Sequence, residues 1–267
     1  MTDVKKELFH PIRAAVIMLL VFYAIEIPMV LLNVFPEQAA LYTADFVLRC
    51  ILGTIALVLL NRFYKQSGDA EGFKNAFRGK ISWKVWLLLC PLFIYILLPL
   101  LKIKAGTFTT AVLGLFCINA LQQAGTGYYE EAVYRGLVMK GLLAHRTDTL
   151  KRRIITILIS GGIFGLSHFP NIAFGENPLV QVPATMVIGI FWAAIYMCTG
   201  NLALSMCLHA LTDLTPRIAG YLFESQPALS SFVSGARDVI DYAVFPLVSI
   251  LICVFYDRIR KPKNSEN

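Results

Sequence analysis

Apolar windows of roughly 18 to 25 residues, the length a helix needs to cross a bilayer, recur from one end of this chain to the other. No other feature restricts the fold as much, because backbone in hydrocarbon has no water to satisfy its N–H and C=O groups. With 57% of the 267 residues hydrophobic and 15% charged, no room is left for a sizeable soluble domain. The expected fold is all-α, a polytopic membrane helix bundle of about eight transmembrane helices. It reads as a single integral membrane domain over 1–267, with a motif-bearing core at about 107–222.

The spans fall at about 13–34, 41–61, 84–101, 108–125 continuing into 128–144, 152–169, 180–199, 201–221 and 238–257. Lys5, Lys6 and Arg13 precede the first, and Arg62, Lys65, Lys74, Arg78 and Lys80 follow the second. Arg146, Lys151, Arg152 and Arg153 follow the fourth, and Arg258, Arg260, Lys261 and Lys263 the eighth. All of these share one side if there are eight spans, against Lys102, Lys104, Arg217 and Arg237 opposite, so both termini are expected in the cytoplasm. The expected location is a membrane, with the lipid bilayer as the first partner. Topology also accounts for the formal charge of +7; the cations are scattered over loops, so no nucleic acid partner is expected. The first apolar run is long, contains Glu26 and lacks a small-x-small cleavage site, and reads as a span rather than a signal peptide.

Some local expectations follow. Gly68–Ser82 is basic and mildly amphipathic, fitting either a helix on the cytoplasmic leaflet, with Phe73, Ala76, Phe77 and Ile81 on one face, or a solvated loop. All six cysteines lie in apolar stretches, as small buried hydrophobes do. A helix from 107 to 144 would reach about 57 Å, too long for one straight span, so a break is expected at Gly125-Thr126-Gly127, with the paired glutamates opening the next helix.

Within these spans sit ionisable groups that hydrocarbon would make costly: Glu130, Glu131 and Arg135, then His168, then His209 and Asp213. Glu131 and Arg135 are four apart on one helix face, in the orientation of an ion pair, and are assigned to structural support. Glu130 points about 100° away and is left free to face a pocket. His168 and Glu130 lie at matching depth, each about 24 Å along its helix from the basic face. His209 reaches that depth only if the turn at Gly200-Asn201 is recessed into the protein, and Asp213 then shares its helix face. A water held between Glu130 and His168 could be deprotonated by the carboxylate and attack a carbonyl, with His209 donating to the oxyanion and Asp213 donating when protonated or orienting His209.

Three motifs occur here in order: E-E-x-x-x-R at Glu130-Glu131 to Arg135, F-x-x-x-H at Phe164 to His168, and H-x-x-x-D at His209 to Asp213. The set resembles the CPBP family, the CAAX proteases and bacteriocin-processing (Abi-type) enzymes. That resemblance implies an intramembrane glutamic endopeptidase with Glu130, His168, His209 and Asp213 as catalytic residues, acting on a peptide or membrane-protein substrate without a cofactor or metal. Eukaryotic CAAX enzymes look to carry asparagine at the fourth position, and Asp213 looks like the bacterial variant, which favours processing of a peptide or membrane protein over cleavage of prenylated CAAX substrates.

Other readings of the same residues are a zinc protease site built from Glu130, His168 and His209, a proton-coupled carrier, and a non-catalytic membrane partner of a transporter or sensor kinase. Asp45 with Arg49 reads as a structural ion pair, and Glu26, Asn119, Gln122 and Gln123 as bundle contacts. Tyr128, Tyr129 and Trp192 read equally as walls of a substrate path or as aromatic packing.

Overall fold

The computed structural model describes the backbone of residues 2–69, 71–79, 81–143 and 148–260, with side chains from 11 to 259 among these. The side chains of Lys5, Lys6, His10, Lys80, His145, Arg146, Arg260, Lys261 and Lys263 lie outside the described set. The architecture is an all-α polytopic bundle: α1 (Thr2–Leu31), α2 (Gln38–Gln66), α3 (Gly72–Arg78), α4 (Trp83–Leu97), α5 (Leu113–Glu131), α6 (Met139–Leu143), α7 (Leu150–Leu166), α8 (Pro178–Thr199), α9 (Leu202–Leu222), α10 (Pro227–Val239) and α11 (Phe245–Arg260). A 3₁₀ turn, Leu98–Lys102, extends α4, and an isolated bridge joins Ile103 to Ser225.

Among the described residues, six segments are long and apolar enough to cross a membrane: Pro11–Leu31, Gln38–Gln66, Trp83–Lys102, Leu150–Phe174, Pro178–Thr199 and Pro227–Ile259. Two further long helical stretches occupy the remaining expected spans, α5 with its continuation through α6, and α9. They are the stretches carrying both glutamates and the His209 and Asp213 pair, and those polar groups dilute their apolar character. Leu20, Leu32, Val58, Leu87, Leu166 and Leu179 stand exposed, as side chains facing lipid do.

The expected break at 125–127 is absent. The helix runs through both glycines, and the irregularity lies farther on, where Ala132–Val138 winds as a π-helix between α5 and α6. Glu130 and Glu131 therefore close α5 instead of opening a helix, and arginine side chains replace the helix dipole as the source of compensating charge. The glycines serve close approach. A Cβ at Gly127 would lie 2.7 Å from the Met206 carbonyl oxygen, so α5 meets α9 nearly backbone to backbone.

The turn at Gly200-Asn201 is half-buried in the bundle. Gly200 ends α8 in the left-handed region (φ 58°), and the Asn201 side chain caps α9 by accepting from Leu204 N. The chain after α3 closes over this turn: Asn201 Nδ2 donates to the Gly79 carbonyl at 3.1 Å, and a Cβ at Gly79 would sit 1.9 Å from the Thr199 oxygen. Phe73 and Phe77 turn inward, ring to ring at 5.4 Å, so α3 spends its apolar face on the bundle rather than on a leaflet. Cys198 and Cys253 are fully buried, whereas Cys90, Cys117 and Cys207 face outward, contrary to expectation.

Candidate active site

Glu130, His168, His209 and Asp213 line one cavity of about 300 Å³ among α2, α5, α7, α8 and α9. Close packing of α5 on α9 at Gly127 brings the glutamate pair against His209. The α7 helix ends at Leu166, and His168 leads into a 3₁₀ turn, Phe169–Phe174, at the cavity wall.

The two neighbouring glutamates have different environments. Glu131 is wholly buried, and its Oε1 lies 3.0 Å from Arg135 Nη1 and 2.7 Å from His209 Nδ1. Glu130 keeps 15% of its side chain exposed; Oε1 faces Arg49 Nη1 at 3.5 Å and Oε2 faces His209 Nε2 at 3.7 Å. The ion pair expected between Glu131 and Arg135 is present. The bond from Glu131 to His209 had no counterpart in the sequence reading.

Hydrogen-bond chemistry fixes one proton on each imidazole. A carbonyl oxygen only accepts, so His168 Nδ1, 2.7 Å from the Phe164 carbonyl, carries a hydrogen, and in the neutral ring Nε2 is then an acceptor. By the same logic His209 Nδ1 donates to Glu131, which turns Nε2 toward Glu130 and toward Asp213 Oδ2 at 3.5 Å. Trp192 stacks on the His209 ring at 5.9 Å and 16°, fixing its plane.

Phe164 explains the spacing of the second motif. Its ring meets His168 at 4.8 Å, His209 at 6.0 Å and the Arg135 guanidinium at 4.7 Å, while its carbonyl holds His168. One aromatic residue thus positions both imidazoles and the cation that supports Glu131. Ser167 is held by the Tyr134 hydroxyl, and its carbonyl accepts from Tyr23 at 2.5 Å, which ties the turn before His168 to α1.

The sequence reading placed several cavity residues elsewhere. Arg49 pairs with Asp45 at 2.8 Å as expected, yet it also reaches Glu26 at 3.1 Å and lines the cavity beside Glu130. Gln122, Gln123 and Arg217 line it too, and the Gln123 side-chain oxygen accepts from Arg217 Nε at 3.0 Å. A Glu and an Asp-Arg pair inside apolar spans are the signal for them, which spacing alone reads as a bundle contact and a structural ion pair. Trp192 lies in the cavity wall; Tyr129 is buried, its hydroxyl donating to the Met18 carbonyl, so it is a packing residue. Tyr128 reaches Thr54 with its hydroxyl at 3.1 Å. Among the described residues no three His, Cys, Asp or Glu side chains are placed to hold a metal ion.

A polar cavity walled by membrane-spanning helices, with carboxylates and imidazoles facing one another, is suited to acid-base hydrolysis. Residues 113–215 match the family model for the type II CAAX prenyl endopeptidases, Rce1-like, a segment that runs from α5 into α9 and contains all three motifs. No curated protein and no solved structure matches the chain. Fold and site together define an integral membrane protein with a cavity of carboxylates and imidazoles among its helices. The likeness to that family is confined to the segment 113–215, less than half of the chain.

Proposed function

We propose that the chain is an intramembrane glutamic endopeptidase that hydrolyses one peptide bond of a peptide or membrane-protein substrate. The observation that carries this reading is the convergence of Glu130, His168, His209 and Asp213 on one cavity, with Glu131 and Arg135 behind them. Glu130 is the general base. It takes a proton from a water that His168 Nε2 helps to hold, as the water oxygen bonds to the scissile carbonyl carbon. The carbonyl π electrons move onto its oxygen, and doubly protonated His209 donates Nε2–H to that oxyanion while Nδ1–H stays on Glu131. Asp213, i+4 from His209 on α9, orients the ring. Collapse of the intermediate breaks the C–N bond, and Glu130 returns its proton to the leaving amine.

The proposal extends to topology and place. Chain 1–267 acts as one integral domain with its working core at about 107–222, both termini are cytoplasmic by the distribution of Lys and Arg, and the membrane is that of a bacterial cell. A processing substrate is preferred over a prenylated one because Asp213 stands where the eukaryotic CAAX enzymes look to carry asparagine.

The test compares protein termini, by mass spectrometry, in cells expressing equal amounts of wild type or Glu130→Gln. Ends present only with wild type support proteolysis and nominate the substrate. Identical ends with both chains reject it and favour a non-catalytic role as a membrane partner.

A further inference from the structure

Each of the paired glutamates has its own arginine. Arg135, on the same helical run, serves Glu131; Arg49, from α2, serves Glu130. The second relationship goes beyond the structural ion pair, because Arg49 already has two carboxylate partners without Glu130. Its Nε donates to both oxygens of Asp45, at 2.9 and 2.8 Å, its Nη2 donates to Glu26 at 3.1 Å, and its guanidinium lies 4.6 Å above the Phe22 ring. Asp45 is held in turn by Gln122 Nε2 of α5 at 2.8 Å. The remaining nitrogen, Nη1, is buried without a hydrogen bond and is directed at Glu130 Oε1, 3.5 Å away.

We infer that Arg49 is a positioning residue for the base: three helices lock its guanidinium so that it holds Glu130 Oε1 and leaves Oε2 as the oxygen presented to water. This rests on the endopeptidase reading above. The two oxygens of an unrestrained carboxylate exchange by rotation about χ3, which is soft, so a fixed cation on one oxygen selects the other. Oε2 is the oxygen facing His209, on the side where a scissile carbonyl would have to lie. Glu26 and Asp45 reach Glu130 through Arg49, and neither lines the cavity. A base displaced by about 1 Å loses on the order of 100-fold in rate, so the effect belongs to kcat rather than to substrate affinity.

The test uses the full-length protein purified in detergent and a reporter peptide spanning a bond that wild type cuts and Glu130→Gln spares. Arg49→Gln is expected to lower kcat about 100-fold with KM within about threefold of wild type. Arg49→Lys keeps the charge but cannot grip three carboxylates, and is expected to recover about tenfold of that loss. Asp45→Asn keeps Arg49 and near-native shape while loosening it, with an expected fall in kcat of about tenfold. Thermal unfolding of each variant reports folding, and Asp45→Asn serves if Arg49→Gln does not fold. Wild-type kcat in folded Asp45→Asn and Arg49→Lys, or a loss confined to KM, overturns the inference. Absence of any bond cut by wild type and spared by Glu130→Gln overturns the endopeptidase reading itself, and with it this role.

Discussion

Glu131 Oε1 and His209 Nδ1 are 2.7 Å apart, inside a site where the glutamate has no exposed surface. This bond makes the second glutamate more than a partner for Arg135: it fixes which nitrogen of His209 faces the cavity, in the way that a buried carboxylate orients the imidazole of a hydrolase triad. Glu131 thus links two helices, α5 and α9, through a single oxygen that accepts from the His209 ring N–H and lies 3.0 Å from the Arg135 guanidinium as an ion pair.

Glu131→Gln is therefore expected to cost stability first. It leaves Arg135 wholly buried without a counter-charge, a change that typically costs about 3–5 kcal/mol. Thermal unfolding in detergent should show a marked drop, and adding Arg135→Gln should recover part of it, since the double change removes the orphaned charge. An unfolding temperature equal to wild type for Glu131→Gln would show that the pair is not the support described.

Asp213→Asn is expected to retain turnover. The carboxamide keeps the shape of the side chain 3.5 Å from His209 Nε2 and supplies a donor regardless of pH. Measured with the reporter peptide, kcat within about tenfold of wild type fits this role; complete loss would mean that the negative charge itself is required.

Gly127→Val tests the helix contact that assembles the site. Even a Cβ would lie 2.7 Å from the Met206 carbonyl and 3.0 Å from Ala210 N, so a branched side chain must push α9 away from α5. Overpacking of this kind costs about 1–3 kcal/mol, and the shift separates Glu131 from His209. Turnover should fall at least about 100-fold in protein that still folds, as judged by unfolding temperature; wild-type turnover would show that the close approach is incidental.

Phe164→Leu removes the ring that touches both imidazoles and covers Arg135. The expected outcome is a loss of about 1–3 kcal/mol in stability, from lost aromatic contact and the space it leaves, together with a fall in kcat. Retained kcat with reduced stability would confine Phe164 to packing.

The site's inner residues were legible because ionisable groups inside apolar spans stand out against hydrocarbon, and because Glu131 with Arg135 obeys the i, i+4 rule of a single helix. What escaped the sequence were the direct side-chain contacts between helices. Glu131 meets His209 across 78 residues and Arg49 meets Glu26 across 23, separations at which spacing carries no information. The same rule that picked out Glu130 also applied to Glu26, Asp45 and Arg49, but a self-satisfied pair at i, i+4 hid the third nitrogen of the arginine. The fold shows the same division. The turn at Gly200-Asn201 was readable as a short polar break between two apolar runs, whereas the glycines at 125 and 127 signal either a bend or a tight contact, and only packing against α9 decides between them.

The central claim is that Glu130 is the base of a peptide-bond hydrolysis carried out within the membrane. The most direct measurement is cleavage of the reporter peptide by purified protein reconstituted in phospholipid vesicles, wild type against Glu130→Gln, with the unfolding temperature of each recorded. The account predicts turnover by wild type and none by a Glu130→Gln chain that unfolds at the same temperature. Equal turnover by the two chains would contradict it.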